Sequence, residues 1–477
     1  MQLDHKKLDR AFNPQCLAVV GDSSQDNFRW LRAQNSFKGK LYSVQVNPES
    51  IEGIKALGIK NYTSLLDIPN PVDLAIVAVP RKVAPRILED CINKKVAAAS
   101  FFTSGFAETN TEEGRSLERV LTKRAEEANF HLIGPNCMGI FNPKIGIRQT
   151  VEQYTGFWGP IGLISQSGTH AITFSLESHL QGMDINKSVS FGNAIVLDSS
   201  DYLEYFGRDP EIKAIGMYLE GVKDGRRFLK VLRDVATQKP VAIWKGGRTD
   251  EGNRAIASHT GSLALPQTIW DSAIRQCGAV NVAEMEELID TLKAVLYLSP
   301  VYGDRVAIAG GSGGQSVAIA DIFAEAGLRV QPLTQKSYNE LATFFDLVGG
   351  SYINPIDTGN PNRTQMKRIM EILEQDDNID NIILIITTQF ITMGFLSAAY
   401  VESNIELMSE IRQRNSKPVM AIVSYSTSAG MRRAREITQQ FQKKGIPAFP
   451  SMKRGAFALR KALDYYRFKS RIDNYSG

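Results

Sequence analysis

Residues 16–24, CLAVVGDSS, place a short apolar run directly before a glycine turn. Four further apolar runs follow, separated by helical patterns: KLYSVQV at 40–46, VDLAIVAV at 72–79, VAAASFFTS at 96–104 and HLIGPN at 131–136. Apolar runs of strand length that alternate with helices indicate a parallel α/β sheet. A glycine turn after the first strand is where a Rossmann-type unit holds a phosphate at a helix N-terminus. The first 150 residues therefore predict a Rossmann-like domain.

The glycine turn on its own is a poor dinucleotide fingerprint. Only Gly21 is present, and residues 22–30 supply no second or third glycine, so an ordinary tight turn remains open. An NAD-dependent oxidoreductase would also need a ribose-binding acidic residue at the end of the second strand. That run ends in QVNP at 45–48, with Glu49 just beyond it, so the sequence disfavours this alternative.

Two more α/β stretches follow, and they predict flavodoxin-like domains at 151–298 and 299–477. The second stretch contains the runs IGLIS at 161–165, SVSFGN at 188–193, AIGMYLEG at 214–221 and PVAIWKGG at 240–247. The third contains RVAIAGGSGGQS at 305–316, IILIITTQF at 382–390, PVMAIVSYS at 418–426 and IPAFPS at 446–451. Both stretches open with a strand that enters a Ser/Gly turn, and both have Lys-Pro-Val before a later strand. This weak internal repeat indicates two domains of similar build.

Composition excludes several classes of protein. The chain has 55 Lys and Arg against 51 Asp and Glu, so its net charge of +4 gives no electrostatic footprint for nucleic acid. The N-terminus lacks a signal-peptide core, and no run reaches the roughly 18 apolar residues of a membrane helix. We therefore expect a cytoplasmic protein. The four cysteines are scattered without a CxxC pair, which predicts reduced thiols and no zinc site.

Two turns are candidate anion sites. Residues 165–169, SQSGT, and 310–316, GGSGGQS, each lie between an apolar strand and a helix. Each turn can offer free backbone N–H groups and the positive end of a helix dipole to an anion. Simple helix capping is the alternative. Two such helix ends that face each other would clamp one phosphoryl group.

His259 is the candidate nucleophile. It lies in GNRAIASHTGSLA at 252–264, a polar stretch of small residues after a strand, and we expect it on an exposed loop. Imidazole, with a pKa near 6.5, can attack phosphorus through one nitrogen while the other donates a hydrogen bond. Glu220 is the expected carboxylate partner because strand ends of a parallel sheet face the ligand crevice. His170, in the first turn of the helix after Ser167, is a weaker candidate for a phosphate contact.

A further candidate is the turn GPNCMG at 134–139, which predicts a close approach of the backbone to a ligand. Cys137 has the chemistry of a nucleophile, but the neighbouring sequence supplies neither a base nor an oxyanion arrangement. We therefore predict a packed or ligand-contacting thiol.

Taken together, GPNCMG, SQSGT, SFGN followed by LDSSDYLEYF, IGMYLEG, KPVAIWKGGRT and ASHTGSLA resemble the succinyl-CoA synthetase superfamily. The spacing is similar to that of the alpha subunit of ADP-forming acetate–CoA ligases. The resemblance spans nearly the whole chain, because GGSGGQSVAIAD and INPID resemble the additional CoA-ligase domain of that subunit. It implies a Rossmann-like CoA-binding domain followed by two flavodoxin-like CoA-ligase domains.

The resemblance also assigns roles to residues. It implies that His259 is phosphorylated and that Glu220 steadies it. The phosphate would be held by residues of the two turns: Ser165, Gln166, Ser167, Gly168, Thr169, Gly311, Ser312, Gly313 and Gly314. CoA would be bound by residues of the first domain: Gly21, Asp22, Ser23, Val46, Pro48, Pro80, Asn136 and Cys137.

The implied reaction converts acyl-CoA and phosphate to acyl phosphate, then to a phosphohistidine, and finally makes ATP from ADP, or runs in reverse. CoA and a small carboxylic acid are then substrates. The sequence contains no recognisable ATP-grasp segment, so the nucleotide step, with Mg²⁺, is expected on a separate ATP-grasp beta subunit. No metal site is expected on this chain.

Three departures from the family pattern concern the CoA site. The first loop reads QDNFRW where further glycines are usual, Glu49 follows the VNP turn where a lysine is usual, and Val196 replaces a common aspartate. A negative charge beside CoA phosphates is unfavourable. These departures keep one alternative open, a catalytically impaired regulatory protein that binds CoA or acyl-CoA.

Overall fold

The computed structural model describes residues 2–259, 267–310, 313–345, 347, 350–359, 362–394, 397–414 and 417–475; the side chains of 257–259, 390, 392 and 475 also lie outside the description. The chain divides into two compact units. The first comprises Met1–His179 and Met183–Ala283, and the second comprises Leu180–Gly182 and Glu284–Gly477. Each unit is built on parallel sheets covered by helices.

The first sheet has six strands in the order β3-β2-β1-β4-β5-β6, all parallel. Its strands are β1 (Cys16–Val20), β2 (Lys40–Val44), β3 (Lys60–Tyr62), β4 (Leu74–Val77), β5 (Ala98–Phe101) and β6 (His131–Ile133). The central strands β1 and β4 are fully buried, as expected for strands covered by helices on both faces. The order is that of a Rossmann fold, with the switch point between β1 and β4.

The second sheet also belongs to the first unit and has the order β12-β11-β10-β8-β9-β7. Its strands are β7 (Gly139–Phe141), β8 (Ile161–Ser165), β9 (Ile185–Ser190), β10 (Ala214–Leu219), β11 (Val241–Lys245) and β12 (Val280–Val282). The short strand β7 runs antiparallel to β9 at one edge, and the other strands are parallel. Without β7 the order is that of flavodoxin, with the switch point between β8 and β10.

The third sheet lies in the second unit and has the order β14-β13-β15-β16-β17, all parallel. Its strands are β13 (Arg305–Ala309), β14 (Arg329–Val330), β15 (Asn381–Thr387), β16 (Val419–Ser424) and β17 (Ala448–Phe449). This is again the flavodoxin order, with the switch point between β13 and β15. The predicted α/β architecture is confirmed.

The helices of the first unit cover both of its sheets. They are α1 (His5–Phe12), α2 (Arg29–Ala33), α3 (Pro48–Ala56), α4 (Ala84–Asn93), α5 (Glu112–Glu127), α6 (Gly168–Leu180), α7 (Ser199–Arg208), α8 (Gly225–Ala236), α9 (Asp250–His259) and α10 (Gln267–Gln276). Asp198 and Asp201 form a capping box that fixes the start of α7, because each satisfies a backbone N–H of the first turn. This capping explains why the stretch after SFGN becomes a helix.

The helices of the second unit begin with α11, which packs against the long terminal helix α18. They are α11 (Met285–Tyr297), α12 (Ser316–Glu325), α13 (Gln335–Leu341), α14 (Arg363–Gln375), α15 (Thr388–Thr392), α16 (Ala398–Arg414), α17 (Ser428–Lys443) and α18 (Met452–Tyr475). None of the helices in the ranges described is both long and apolar enough to cross a membrane.

The structure adds strands that the sequence patterns did not indicate. The first sheet has six strands rather than five, and β3, β7, β12 and β14 are the additions. Each is only two or three residues long, too short to show an apolar period. These strands are defined by hydrogen bonds to a neighbouring strand, and that strand lies at a different place in the sequence, so the residues of the short strand alone do not predict the pairing.

Candidate functional site

The carboxyl ends of the strands at the switch points carry the predicted turns. Gly21 follows β1 at the switch point of the first sheet, beside the segment after β4. Ser165 ends β8, and Glu220 follows β10 on the other side of the second switch point. Gly310 follows β13 at the third. Ligands of open α/β sheets bind in the crevices outside these strand ends, so each predicted turn lies where a ligand crevice opens.

Gly21 is required by its surroundings. Its φ is +88°, and an added Cβ would lie 2.8 Å from the carbonyl oxygen of Ala78 and 2.5 Å from Val79. A larger residue would force β1 and the segment after β4 apart. The backbone approach that remains open at Gly21 fits a turn that accommodates a phosphate group.

Asp22 has its side chain inside the protein rather than in the crevice. It is only 1% exposed, and its carboxylate accepts hydrogen bonds from the backbone N–H groups of Leu31, at 2.8 Å, and Ser23, at 3.2 Å. Burial raises the pKa of Asp22 to about 6, against the lowering effect of these bonds. The side chain of Asp22 therefore fixes both ends of the segment 23–31, which comprises the loop after β1 and the start of α2.

Gln45 connects the two loops of the predicted CoA site. Its side-chain nitrogen donates to the carbonyl oxygen of Asp22 at 2.8 Å, and its oxygen accepts from the backbone nitrogens of Val46, at 2.8 Å, and Asn47, at 3.0 Å. Val46 and Pro48 are exposed, as is Pro80 after β4. The predicted CoA-contacting positions of the first sheet thus converge on one edge.

The GPNCMG turn follows β6. Cys137 is 4% exposed, and its thiol donates to the carbonyl oxygens of Phe101 and Ile133, both at 3.5 Å. Burial raises the pKa of Cys137 to about 12, which removes the thiolate needed for nucleophilic attack. The thiol is packed, so any CoA contact at this position must come from the backbone.

Asn136 points towards a polar cluster at the carboxyl end of β9. Its amide nitrogen lies 3.4 Å from the side-chain oxygen of Asn193. Asn193 in turn donates to carboxylate oxygens of Glu108, at 2.7 Å, and Glu118, at 3.0 Å. The SFGN turn of the second sheet is thereby fixed against the helices of the first sheet.

The SQSGT turn is ordered by its own side chains. Ser165 is buried; its hydroxyl donates to the carbonyl oxygen of Ser167 at 2.6 Å and accepts from the Ser167 nitrogen at 3.2 Å. The hydroxyl of Ser167 accepts from the His170 nitrogen at 3.3 Å. Thr169 is exposed in the first turn of α6. Both functions foreseen for the turn, a helix cap and an anion site, are compatible with this geometry.

Gln166 links this turn to Glu220. Its side-chain oxygen accepts hydrogen bonds from the backbone nitrogens of Glu220, at 2.8 Å, and Gly221, at 3.2 Å. The two sides of the switch point are therefore held together by one side chain. Gln166 therefore holds the backbone of the predicted carboxylate partner Glu220; the phosphate contact predicted for Gln166 stays a prediction.

Only one of the two carboxylate oxygens of Glu220 has a hydrogen-bond donor among the described residues. The hydroxyl of Tyr218 donates to Oε1 at 3.3 Å. The second oxygen, Oε2, is buried and has no hydrogen-bond partner among the described residues. A buried oxygen without a donor is costly, so Oε2 is suited to accept a hydrogen bond from a further donor.

A cluster of aromatic rings and the buried Lys245 lie next to Glu220. The rings of His170, Tyr218 and Trp244 contact one another with centroid distances of 4.4–4.6 Å. Burial lowers the pKa of His170. Lys245 is buried and donates to the backbone carbonyl of Glu220 at 2.7 Å. His170 is thus part of the packing that positions Tyr218, and no contact with an anion is needed to explain it.

The stretch that leads to His259 is a helix rather than the expected loop. Helix α9 covers Asp250–His259, and the hydroxyl of Thr249 accepts from the Gly252 nitrogen at 3.1 Å in its first turn. Asp250 and Glu251 in that turn favour helix formation through the helix dipole. The side chain of His259 and residues 260–266 lie outside the described part of the chain.

The glycine-rich turn of the third sheet is described only in part. Gly311 and Ser312 lie outside the described residues, while Gly313–Gln315 form a short 3₁₀ turn that leads into α12. Gly310 donates its N–H to the carbonyl oxygen of Ile356 at 3.1 Å. This turn and SQSGT lie in different units, so a phosphate site that they share stays a prediction.

The three remaining histidines form contacts away from the predicted turns. His131 is fully buried and accepts from the Asp4 nitrogen at 3.3 Å, and burial lowers its pKa to about 4. His5 lies 3.2 Å from Glu204, and His179 lies 2.6 Å from Asp184 and stacks on Tyr154. None of these three lies at a switch-point turn.

Two family models match the chain. The model described as a CoA binding domain matches residues 15–143, and the model described as a succinyl-CoA ligase like flavodoxin domain matches 158–295. Fold and site thus define a CoA-binding chain of the succinyl-CoA ligase type. The alpha subunit of ADP-forming acetate–CoA ligase II from Pyrococcus furiosus is 34% identical over 93% of this chain and 94% of its own length. This chain belongs to the family of ADP-forming acetate–CoA ligase alpha subunits.

Further relatives support this assignment. ADP-forming acetate–CoA ligase I from Archaeoglobus fulgidus is 37% identical over 82% of this chain, which spans 56% of that longer protein. The solved dinucleotide-forming acetyl-coenzyme A synthetase 1 from Candidatus Korarchaeum cryptofilum, in complex with phosphate and ADP, is 29% identical with a TM-score of 0.83 over 98% of this chain and 99% of that one. These relatives favour the ligase over the regulatory alternative.

Proposed function

We propose that the chain is the alpha subunit of an ADP-forming acyl-CoA synthetase, which interconverts acyl-CoA, ADP and phosphate with a carboxylic acid, CoA and ATP. The observation that carries the proposal is the junction of Gln166 and Glu220 at the second switch point. It joins the turn that we propose to hold phosphate to a carboxylate whose Oε2 lacks a donor among the described residues. A protein that only binds CoA needs neither feature.

In the first step an oxygen of phosphate attacks the thioester carbon and the C–S bond breaks. Acyl phosphate forms, and the CoA sulfur takes the proton that phosphate loses. The edge of the first sheet, with Gly21, Val46, Pro48 and Pro80, holds CoA, and the Ser165–Thr169 turn holds phosphate. Backbone N–H groups at the start of α6 stabilise its negative charge. The thiol of Cys137 takes no part because it is buried and protonated.

In the second step a nitrogen of His259 attacks phosphorus, the P–O bond to the acyl group breaks and the carboxylic acid is released. Glu220 accepts a hydrogen bond from the other imidazole nitrogen and stabilises the positive charge that develops on the ring. Tyr218 fixes Oε1, which leaves Oε2 for this contact. Gly311, Ser312, Gly313 and Gly314 would supply further donors to the phosphoryl group.

In the third step the phosphoryl group passes from His259 to ADP. We assign this step to an ATP-grasp beta subunit that binds the nucleotide with Mg²⁺, so the active enzyme is a hetero-oligomer. Two relatives of similar length are named alpha subunits, which supports a separate partner. The sequence leaves the acyl group open; acetate is the first substrate to test.

Reconstitution tests the proposal. The purified chain is mixed with a candidate ATP-grasp subunit, acetyl-CoA, phosphate, ADP and Mg²⁺, and ATP is measured; other acyl-CoA esters are then screened. We expect ATP only when both chains are present, and no ATP with H259A. ATP formation that does not depend on this chain, or on His259, would overturn the proposal.

A further inference from the structure

We infer that Arg29 binds a phosphate group at the place where the segment after β1 meets the GPNCMG turn, an inference that rests on the proposed function. Arg29 is the first residue of α2 and lies within the segment 23–31, which is held at both ends by hydrogen bonds to Asp22. It is absent from the residues that the family resemblance assigns to CoA or phosphate. Three features of Arg29 indicate that it binds an anion: its position, the absence of a carboxylate partner among the described residues, and its contacts with two aromatic rings.

The position of Arg29 is defined by contacts to both neighbouring turns. Its guanidinium lies 3.9 Å from the sulfur of Met138 in the GPNCMG turn. Met138 in turn packs against Gly168, where an added Cβ would lie 2.5 Å from the Met138 side chain. Arg29 therefore contacts the residue through which the GPNCMG turn packs against the turn at Gly168.

The guanidinium is held in place by two aromatic rings. Its central carbon lies 5.4 Å from the ring centroid of Phe102 and 5.7 Å from that of Trp30. The two rings contact each other edge to face at 5.1 Å, and Trp30 is buried. A guanidinium stacked on aromatic faces loses less conformational freedom when it binds an anion.

Arg29 is exposed, and its contacts among the described residues are with the sulfur of Met138 and the rings of Trp30 and Phe102. Within the described part of the chain, no carboxylate forms an ion pair with it. Its forked N–H donors match phosphate oxygens in geometry. The proposed reaction supplies two sources of such a group, the diphosphate of CoA and the inorganic phosphate that attacks the thioester.

The test compares R29M with wild type and with R32M. Arg32 lies three residues further along α2, is exposed, and donates to the carbonyl oxygen of Asn27, so R32M controls for the loss of one positive charge. Affinities for CoA and for pantetheine, which lacks the phosphates, are measured by calorimetry on the full chain. The KM for inorganic phosphate is measured on the complex with its partner subunit.

Loss of a charge-assisted hydrogen bond predicts a change of roughly 10- to 100-fold in R29M and a smaller one in R29K. If the CoA Kd rises while pantetheine binding is unchanged, Arg29 holds the diphosphate. If the KM for phosphate rises while the CoA Kd is unchanged, it holds inorganic phosphate. Unchanged values for both ligands, equal effects in R32M, or equal losses for CoA and pantetheine overturn the inference.

These outcomes are separable from failure of the proposed function. If wild type makes no ATP with any partner, but R29M loses affinity for CoA and not for pantetheine, the synthetase proposal fails and the role of Arg29 stands. If wild type makes ATP and R29M matches it in both affinities, the inference fails alone. A wild-type chain that binds neither CoA nor phosphate contradicts both.

Discussion

The side-chain oxygen of Gln166 lies 2.8 Å from the backbone nitrogen of Glu220 and 3.2 Å from that of Gly221. One side chain from the turn after β8 therefore fixes the backbone of the turn after β10. These strands flank the switch point of the second sheet. The carboxylate proposed to orient the phosphorylated histidine is consequently placed by the same turn that is proposed to hold the phosphate.

Replacing Gln166 with leucine tests this coupling. Q166L keeps the size of the side chain but leaves two backbone N–H groups without their acceptor, a loss of about 1–3 kcal/mol. We expect a lower melting temperature and at least a tenfold slower formation of the phosphoenzyme, with CoA affinity retained.

A matched control separates stability from function. Gln34 is buried, and its side chain bonds to both the backbone nitrogen and the carbonyl oxygen of Arg148. Q34L should lower the melting temperature to a similar degree without slowing phosphorylation. Equal slowing in Q34L and Q166L would argue against a specific role for Gln166.

The hydroxyl of Tyr218 is predicted to orient Glu220. In Y218F, Oε1 of Glu220 loses its 3.3 Å hydrogen bond. The carboxylate then rotates more freely, so Oε2 spends less time in position to accept the hydrogen bond from the imidazole of His259. We expect the phosphoenzyme to form several-fold more slowly and to hydrolyse faster, as followed by acid-labile phosphate over time.

Y205F is the control for the loss of a buried hydroxyl. Tyr205 is also buried, and its hydroxyl donates to Asp9 at 3.2 Å, away from the switch point. This variant should phosphorylate at the wild-type rate. If Y218F and Y205F behave alike, Tyr218 contributes only to packing.

The buried carboxylate of Asp22 predicts a pH dependence of stability. Its pKa is about 6 in the folded chain against an ordinary value of 3.8. Between pH 3.8 and about pH 6, Asp22 therefore binds more protons in the folded state than in the unfolded state. Its contribution to the free energy of unfolding is fully present below pH 4 and is lost as pH rises through about 6. D22N lacks this titration.

Melting temperatures of wild type and D22N, measured from pH 4 to pH 7.5, test the sign. The melting temperature of wild type minus that of D22N should fall as pH rises through about 6. A difference that stays constant, or increases with pH, would show that the pKa of Asp22 is not raised by burial.

The sequence predicted much of the fold because its long strands are apolar and its turns carry glycine. The runs that became β1, β8 and β13 were recognised together with the turns at Gly21, Ser165 and Gly310. The short edge strands were missed because their residues have no apolar period. The polar, small residues around His259 predict a loop because they form no apolar helical face, whereas the structure has helix α9 there, with Thr249 and two first-turn acids at its start.

The sequence predicts those site residues that directly follow a recognisable strand. Glu220 follows a strand that the sequence reveals, and its position could be inferred from the topology of parallel sheets. Gln45, Tyr218 and Arg29 were missed because their roles depend on contacts to residues distant in sequence, such as Asp22 for Gln45 and Phe102 for Arg29. Tyr218 lies two residues before Glu220, but no pattern shows that its hydroxyl turns towards the carboxylate.

The central claim is that His259 carries the phosphoryl group, and the most direct measurement is to locate it. The purified chain is treated with acetyl phosphate, or with ATP, Mg²⁺ and the proposed ATP-grasp partner, and mass spectrometry is used to find an acid-labile phosphate. We predict phosphate on His259 in wild type, none in H259A, and a shorter-lived phosphoenzyme in E220Q that still binds CoA. Phosphate at another residue, or equal labelling of wild type and H259A, would contradict the claim.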